Sequence, residues 1–445
     1  NSTETTPYQN IPAGTVRVNS LLADGSASVR TLAFGGSPFA GQNSGTNLLG
    51  LVNTLSWFSG DNRHRVKLTT EFRREYYWQD LAFNTLGTFA YNSLEELQKN
   101  RPASYSRQLS PRRREGTQFV GALALGDAWR PINDVQIQYG VRLDGNAFVD
   151  RPEENARITE LFGRQNTTVP NRLYLSPRLG FSWTYGQSPQ VALTAGAVRA
   201  PRAVVRGGIG VFQNTPRTQL IATAIDNTGL PTGLQQLTCV GSAAPSATWD
   251  RYSVTAREIP SQCLDGAGGI NLTNANPNVT LFAPDFVAQR SIRSNLQWSG
   301  PILANRFTAL ADVTYSRNLN QSAGFDLNFP GQVRFTLPGE ENRPVFVDPA
   351  DIVTTTGQVA WRGGRISDQF GRVTEQRADL QSTSRQLTLG LRPAIPNATW
   401  FWNVNYVLSD AQEDFYGFQS TIGDPRVIAQ SPGAVSRHQF QYSLS

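Results

Sequence analysis

The sequence predicts an all-β chain forming part of a transmembrane, outer-membrane-type antiparallel β-barrel with roughly 13 strands in residues 1–445. Three observations carry this. Apolar and polar residues alternate with period two over long runs, aromatic residues gather near the ends of those runs, and the connections between runs alternate between short and long.

The alternation is cleanest where Val135, Ile137, Tyr139, Val141 and Leu143 interleave with Gln136, Gln138, Gly140, Arg142 and Asp144. Leu179, Phe181, Trp183 and Tyr185 repeat it, as do Phe307, Ala309, Ala311, Val313 and Tyr315, and Leu387, Leu389 and Leu391. Val66, Leu68, Phe72, Tyr76 and Trp78 stand opposite Lys67, Glu71, Arg73 and Glu75. Successive strand residues point to opposite sides, so each run has one apolar and one polar face. The runs last ten residues or more, whereas typical soluble strands last roughly 5–6; about 9–11 tilted residues are what a bilayer requires. The strands read as about 15–20, 27–34, 47–58, 64–79, 117–129, 135–148, 173–185, 203–213, 287–299, 306–318, 372–392, 399–409 and one opening at Arg437. The stretch 186–202 is ambiguous, since Val191, Leu193 and Ala195 fit a further strand.

Trp57, Trp78, Trp129, Trp183, Tyr185, Trp298, Tyr315 and Trp400 stand near run ends. This is the pattern of aromatic girdles at the two borders of a membrane, whereas ordinary core aromatics would stand mid-strand. Short links with turn chemistry fall at Ala23–Ser26, Ser59–Arg63, Arg130–Asp134, Ser299–Asn305 and Pro393–Ala398. Long polar segments fall near 80–116, 149–172, 213–286, 319–370 and 410–436. Short periplasmic turns with long extracellular loops give this layout; a soluble sandwich has no reason to collect its loop length at one end. If the apolar face meets lipid, Ile137→Arg should cost about 2–4 kcal/mol and Gln138→Arg almost nothing.

The longest connection, 213–286, reads as an extracellular loop region carrying both cysteines of the chain, Cys239 and Cys263. A lone pair in a loop of an exported protein is read as a disulfide; two unrelated thiols are the alternative. Short helices are expected inside the loops: from Ser93 to about Asn100, opened by a capping box; Arg157–Gly163; and Thr215–Asn227, with Pro216 in its first turn. They cap the mouth, touch substrate or merely pack the loops.

The formal charge is +6, and the cations are Arg apart from Lys67 and Lys99. They are scattered except at Arg112 to Arg114, and no nucleic-acid-binding motif accompanies them, so the sequence argues against nucleic acid; Arg-rich coding bias, or loops facing anionic lipopolysaccharide, explains the charge at least as well. With two His residues, no nucleophile elbow, no zinc motif and no phosphate loop, the chain shows no enzyme, no catalytic set, no metal site and no cofactor site. The chain contains no Met and begins at Asn1 without a signal-peptide pattern, which reads as a mature or excised fragment.

Several stretches resemble the barrel region of TonB-dependent receptors, specifically the Oar-like group with a carboxypeptidase-regulatory-like domain at its N-terminus. They are 89–97 (FAYNSLEEL), 101–107 (RPASYSR), 125–131 (LGDAWRP), 138–145 (QYGVRLDG), 175–183 (LSPRLGFSW), 206–212 (RGGIGVF) and 436–442 (SRHQFQY). The resemblance implies a 22-stranded barrel around a plug, and a periplasmic segment that contacts TonB. In a parent protein the plug and that segment would precede Asn1, and the remaining strands, or a partner, would close the cylinder beyond Ser445, where the chain stops inside an alternating run. It further implies outer-membrane lipid surroundings and uptake of a large, scarce extracellular solute of siderophore, oligosaccharide or peptide class. It transfers no ligand-binding residues. A passive or adhesive surface barrel, and a soluble carbohydrate-binding β-protein, are the competing readings.

Overall fold

In the computed structural model the alternating runs form one meander. The structure describes residues 2–4, 11–21, 25–39, 43–81, 83–109, 112–186, 202–252, 258–264, 272–273, 276–304, 306–340, 342–352, 364–394, 402–416 and 426–444. The wall consists of β1 (Asn43–Phe58), β2 (His64–Leu81), β3 (Arg112–Ile132), β4 (Val135–Phe148), β5 (Arg172–Tyr185), β6 (Ala203–Gln213), β7 (Arg290–Ile302), β8 (Phe307–Asp326), β9 (Val373–Pro393), β10 (Trp402–Phe415) and β11 (His438–Leu444). Each strand is hydrogen-bonded antiparallel to the next. These are eleven of the thirteen expected strands, and short strands at Ser2–Glu4, Val279–Phe282 and Ala429–Pro432, which the sequence reading did not place, bring the sheet to 14.

Register turns the period-two pattern into two continuous surfaces. Leu55, Leu68, Leu125 and Val141 are successive partners across β1 to β4. Leu296, Val313, Leu387 and Leu408 continue the apolar side across β7 to β10. Large apolar residues on this side are left bare, among them Leu125 at 51%, Leu179 at 52% and Ile209 at 54% exposure. The opposite side carries the polar half of each dyad and encloses a cleft, so it is the concave one.

The connections separate by end as expected. Short turns occupy 59–63, 133–134 and 303–306, while 82–111, 149–171, 214–289, 327–372 and 416–437 leave from the other end; the exception is the long connection 186–202, described only at Gly186 and Arg202, which joins β5 to β6 at the short-turn end. The turns are tighter than the sequence reading placed them, because β3 runs through Pro131 and β7 through Pro301. Proline lacks an N–H, and at Pro131 the ladder shifts register between Trp129 and Ile132, a bulge that leaves the missing donor without consequence. In the 303–306 turn Leu303 (φ 48°) and Ala304 (φ 54°) hold left-handed backbone. Ile137, read from the sequence as mid-strand, lies instead close to the short turn, paired with Trp129 and Phe181. Val141 stands at the middle of β4's apolar run.

Two of the expected wall strands belong elsewhere. Ala13–Leu21 and Ala27–Gly35 pair with each other, and the first pairs in parallel with Thr88–Tyr91. With Ser104–Gln108, Gln236–Val240 and Leu272–Thr273 they form a separate six-stranded sheet at the loop end. The dyad makes a strand but does not say which sheet it joins, and here Val16 and Phe89 meet in a core of the lobe's own. The Ala23–Ser26 link is therefore a hairpin of this lobe. Among the described residues no helix is long and apolar enough to cross a membrane. The possible strand at Val191–Ala195 and the link Pro393–Ala398 fall largely outside the described residues.

Candidate functional site

Three helices expected in the loops form, each for a local reason. In α1 (Leu94–Gln98) the Ser93 hydroxyl accepts from the Glu96 amide at 3.2 Å, and the Glu96 carboxylate reaches back to the Asn92 amide at 2.9 Å. In α2 (Ala156–Phe162) Asn155 caps the start, and Gly163 ends it in the left-handed region at φ 63°. The third, α3 (Thr218–Asp226), starts three residues later than expected, with Pro216 just ahead of it.

That third helix lies inside the mouth. It packs on the concave side of β3, where a Cβ at Gly116 would stand 3.2 Å from Ile221 and 3.5 Å from Ala222. The Thr218 hydroxyl reaches Glu75 on β2 at 3.0 Å and Gln118 on β3 at 3.1 Å, and Arg114 of β3 donates to Asp226 at 2.7 Å. Phe148, Ile221, Phe282 and Phe286 fill the space behind it. The strand Val279–Phe282, fully buried, pairs in parallel with the start of β9. Asn328, also buried, donates to the carbonyls of Ser367, Phe370 and Gly371 at 2.8–3.0 Å and so holds the two ends of the 327–372 connection together. Glu375, 1% exposed, accepts from Arg164 and from Arg377 at 2.6 Å each. The long connections thus fold into a cap over one end of the wall.

Between cap and short turns the concave face bounds a cleft of about 1010 Å³. At its upper level Arg142 of β4 reaches across β3 to Glu71 of β2, with two N–H···O contacts of 2.9 and 2.7 Å, and turns its Nε to Asp144 at 2.8 Å. Ala122 and Ala124 stand between them in register and leave the reach open. A bidentate guanidinium–carboxylate pair of this kind holds both groups in place.

Beside the cap, the lobe buries Val16, Phe89, Tyr91, Tyr105, Leu237 and Tyr252 together. Tyr105 donates to the Pro260 carbonyl at 2.8 Å, and burial pushes its hydroxyl pKa well above the ordinary tyrosine value; burial raises Tyr91 too. Cys239 and Cys263 form a disulfide across a sequence separation of 24, tying the 258–264 segment to this core. Closing a loop of that length stabilises the lobe by roughly 3 kcal/mol. Replacing both cysteines by serine is therefore expected to lower the unfolding midpoint of the lobe, read by near-UV circular dichroism, while the far-UV β signal of the wall persists. A simultaneous loss of both would show the lobe and wall to be one cooperative unit.

The aromatic residues singled out in the sequence fall into place along the apolar face. Trp57, Trp129, Trp183, Tyr185 and Trp298 stand near the short-turn end. Trp129 stacks on His64 at 5.9 Å, Trp183 lies 4.8 Å from Tyr185, and Trp298 donates to the Tyr185 hydroxyl at 2.8 Å. Trp78 lies at the opposite end, and Tyr315 stands one row below the apolar side's first cation on β8, Arg317. Trp400 lies outside the described residues; Trp402, of the same aromatic cluster, packs against Phe307 at 5.8 Å on the short-turn side. On this face near the short-turn end stands the carboxylate of Asp127, held by His64 at 2.6 Å and by the Tyr139 hydroxyl at 3.0 Å.

The chain has the fold of the outer membrane transporter YddB from Escherichia coli, with a TM-score of 0.51, 11% identity, and 98% of this chain covering 43% of that one. It also aligns with the siderophore receptor PirA from Acinetobacter baumannii (TM-score 0.42, 8% identity, 98% of this chain and 51% of that). A third alignment is with the FrpB iron transporter from Neisseria meningitidis (0.41, 9%, 85% and 43%). The chain therefore spans about half the length of these structures or less. No family model and no curated protein matches the sequence.

Proposed function

We propose that this chain is wall and extracellular cap of a TonB-dependent outer-membrane receptor, and that the whole protein takes up a large, scarce solute. The observation that carries the reading is the sorting of the meander. The long connections 82–111, 149–171, 214–289 and 327–372 leave from one end and build a cap there, the turns 59–63, 133–134 and 303–306 stand at the other, the convex face is apolar and the concave face polar. That is what a bilayer-spanning, solute-passing cylinder requires. The resemblance of 89–97, 125–131, 175–183 and 206–212 to receptor barrels, and the fold shared with an outer membrane transporter, support the same reading.

In this arrangement the apolar band from Phe72 to Leu389 faces acyl chains. Trp57, Trp129, Trp183, Tyr185 and Trp298 mark the periplasmic border, with Trp78 and Tyr315 at the outer one. The cap and the disulfide-tied lobe meet the solute outside the cell, in contact with lipopolysaccharide. TonB acts through a segment of the parent protein beyond this chain.

Energised uptake has a direct test. Cells dependent on the parent gene for growth on a limiting nutrient should lose uptake when TonB is deleted, with surface binding retained. Uptake that survives the deletion, together with swelling of proteoliposomes in neutral sugars, would favour a passive surface barrel instead.

A further inference from the structure

One transverse row of the concave face has an unusual composition. Reading partner by partner from β2 to β8, it runs Lys67, Gly126, Gly140, Arg178, Gly210, Arg293 and Ser316. Three cations are separated by glycines alone, and the row contains no acid. With neighbouring strands about 4.8 Å apart, Arg178 and Arg293 stand about 10 Å from each other and Lys67 about 14 Å from Arg178. Several cations elsewhere on this face are neutralised: Arg142 by Glu71 and Asp144, Arg73 by Glu75, Arg114 by Asp226. Among the described residues Lys67, Arg178 and Arg293 have no carboxylate within ion-pair reach.

The two arginines are also held in place. Both guanidinium groups stand over the ring of Phe212, at 4.4 Å for Arg178 and 5.5 Å for Arg293, and stacking on an aromatic face fixes a guanidinium plane while leaving its N–H donors free. Gly210 lies between them on the strand that also carries Phe212. A Cβ there would meet the Arg178 side chain at 3.1 Å and the Phe212 ring at 3.3 Å, so a larger residue would crowd both. Gly140 and Gly126 face the opposing backbone, a Cβ at Gly140 falling 2.7 Å from the Leu125 carbonyl oxygen and one at Gly126 3.2 Å from that of Tyr139. The floor between the cations is thus bare backbone, within the cleft that all three line.

We propose that this row is an anion-binding site in the lumen, taking a small solute with two or more phosphate or carboxylate groups about 10 Å apart or less. Planar forked donors on a recessed floor suit such groups, and the low-dielectric wall strengthens the field that draws them in. The site requires only that the concave face be wet. Energy coupling plays no part in it, so loss or survival of uptake in cells leaves its test unaffected.

The test is isothermal titration of the full chain in detergent micelles with inorganic tripolyphosphate, at low and at physiological salt. Saturable binding is expected, weaker at the higher salt because the Debye length falls to about 8 Å there. The Arg178→Gln/Arg293→Gln variant should bind at least tenfold more weakly. The Arg178→Lys/Arg293→Lys variant should keep most of the affinity, which guards against a mere folding defect. Gly210→Val should also weaken binding with both charges intact. Arg63→Gln, on an exposed turn, should leave it unchanged. No binding to the unaltered chain, equal affinity in the double glutamine variant, or an equal loss in Arg63→Gln would overturn the proposal. Tighter binding of a glutamate-rich peptide than of tripolyphosphate, lost in the same variant, would overturn the small-solute class and give the row to an acidic polypeptide.

Discussion

Arginine at position 141 is expected to destabilise the barrel by about 2–4 kcal/mol, arginine at 137 by no more than about 1 kcal/mol, and arginine at 138 hardly at all. The grading follows from register. Val141 stands between Leu125 and Pro177 near the middle of β4's apolar run, where a cation would face the centre of the acyl layer. Ile137 shares a row with Trp129, close enough to the border for a long side chain to reach water. Gln138 points into the cleft. Unfolding in urea from phospholipid vesicles reads all three on one scale. A flat profile, or a penalty largest at 138, would mean that the convex face does not meet lipid, and the whole membrane reading would go with it.

Much of this wall was legible because its two determinants are local. The period-two pattern of 135–144 assigns each side chain to a face without knowledge of any partner strand. Turn chemistry at 59–63 and 133–134 then sets which ends are short. Ser93 with Glu96, and Gly163, marked helix ends for the same reason: a cap is a contact between neighbours in sequence. What escaped was assembled from far apart. The lobe joins segments around 13–35, 88–108 and 236–273: its two nine-residue strands show the same pattern as wall strands and so read as part of the wall, and the others, two to five residues long, are too short for periodicity to show. The placement of α3 against Gly116, and the reach of Arg142 over Ala122 and Ala124, depend on which strands are neighbours. So does the row of Lys67, Arg178 and Arg293, each of which is merely the polar half of a dyad until register aligns them.

Removing the guanidinium of Arg114 should release the cap. Arg114 is 13% exposed and its partner Asp226, at the last turn of α3, 1%. An ion pair in that position adds little net stability over an apolar pair of the same shape, but truncating one member takes a close counterion away from a buried charge, at a cost of about 3–5 kcal/mol. The cost falls on the docked state of α3, because the helix can escape it by leaving the mouth and hydrating Asp226. Arg114→Ala should therefore leave the wall's melting behaviour intact while amide hydrogen exchange across 218–226 rises by two to three orders of magnitude, since each 1.4 kcal/mol is a factor of ten. Arg114→Met combined with Asp226→Leu should restore part of the protection, as it returns a packed contact without a buried charge. If exchange in α3 stays slow in Arg114→Ala, the helix is held by Ile221 and the Phe148 cluster alone, and the cap is a fixed lid. If it rises as expected, the cap is a separable body, and a solute could enter through the mouth by displacing a single helix rather than by opening the wall.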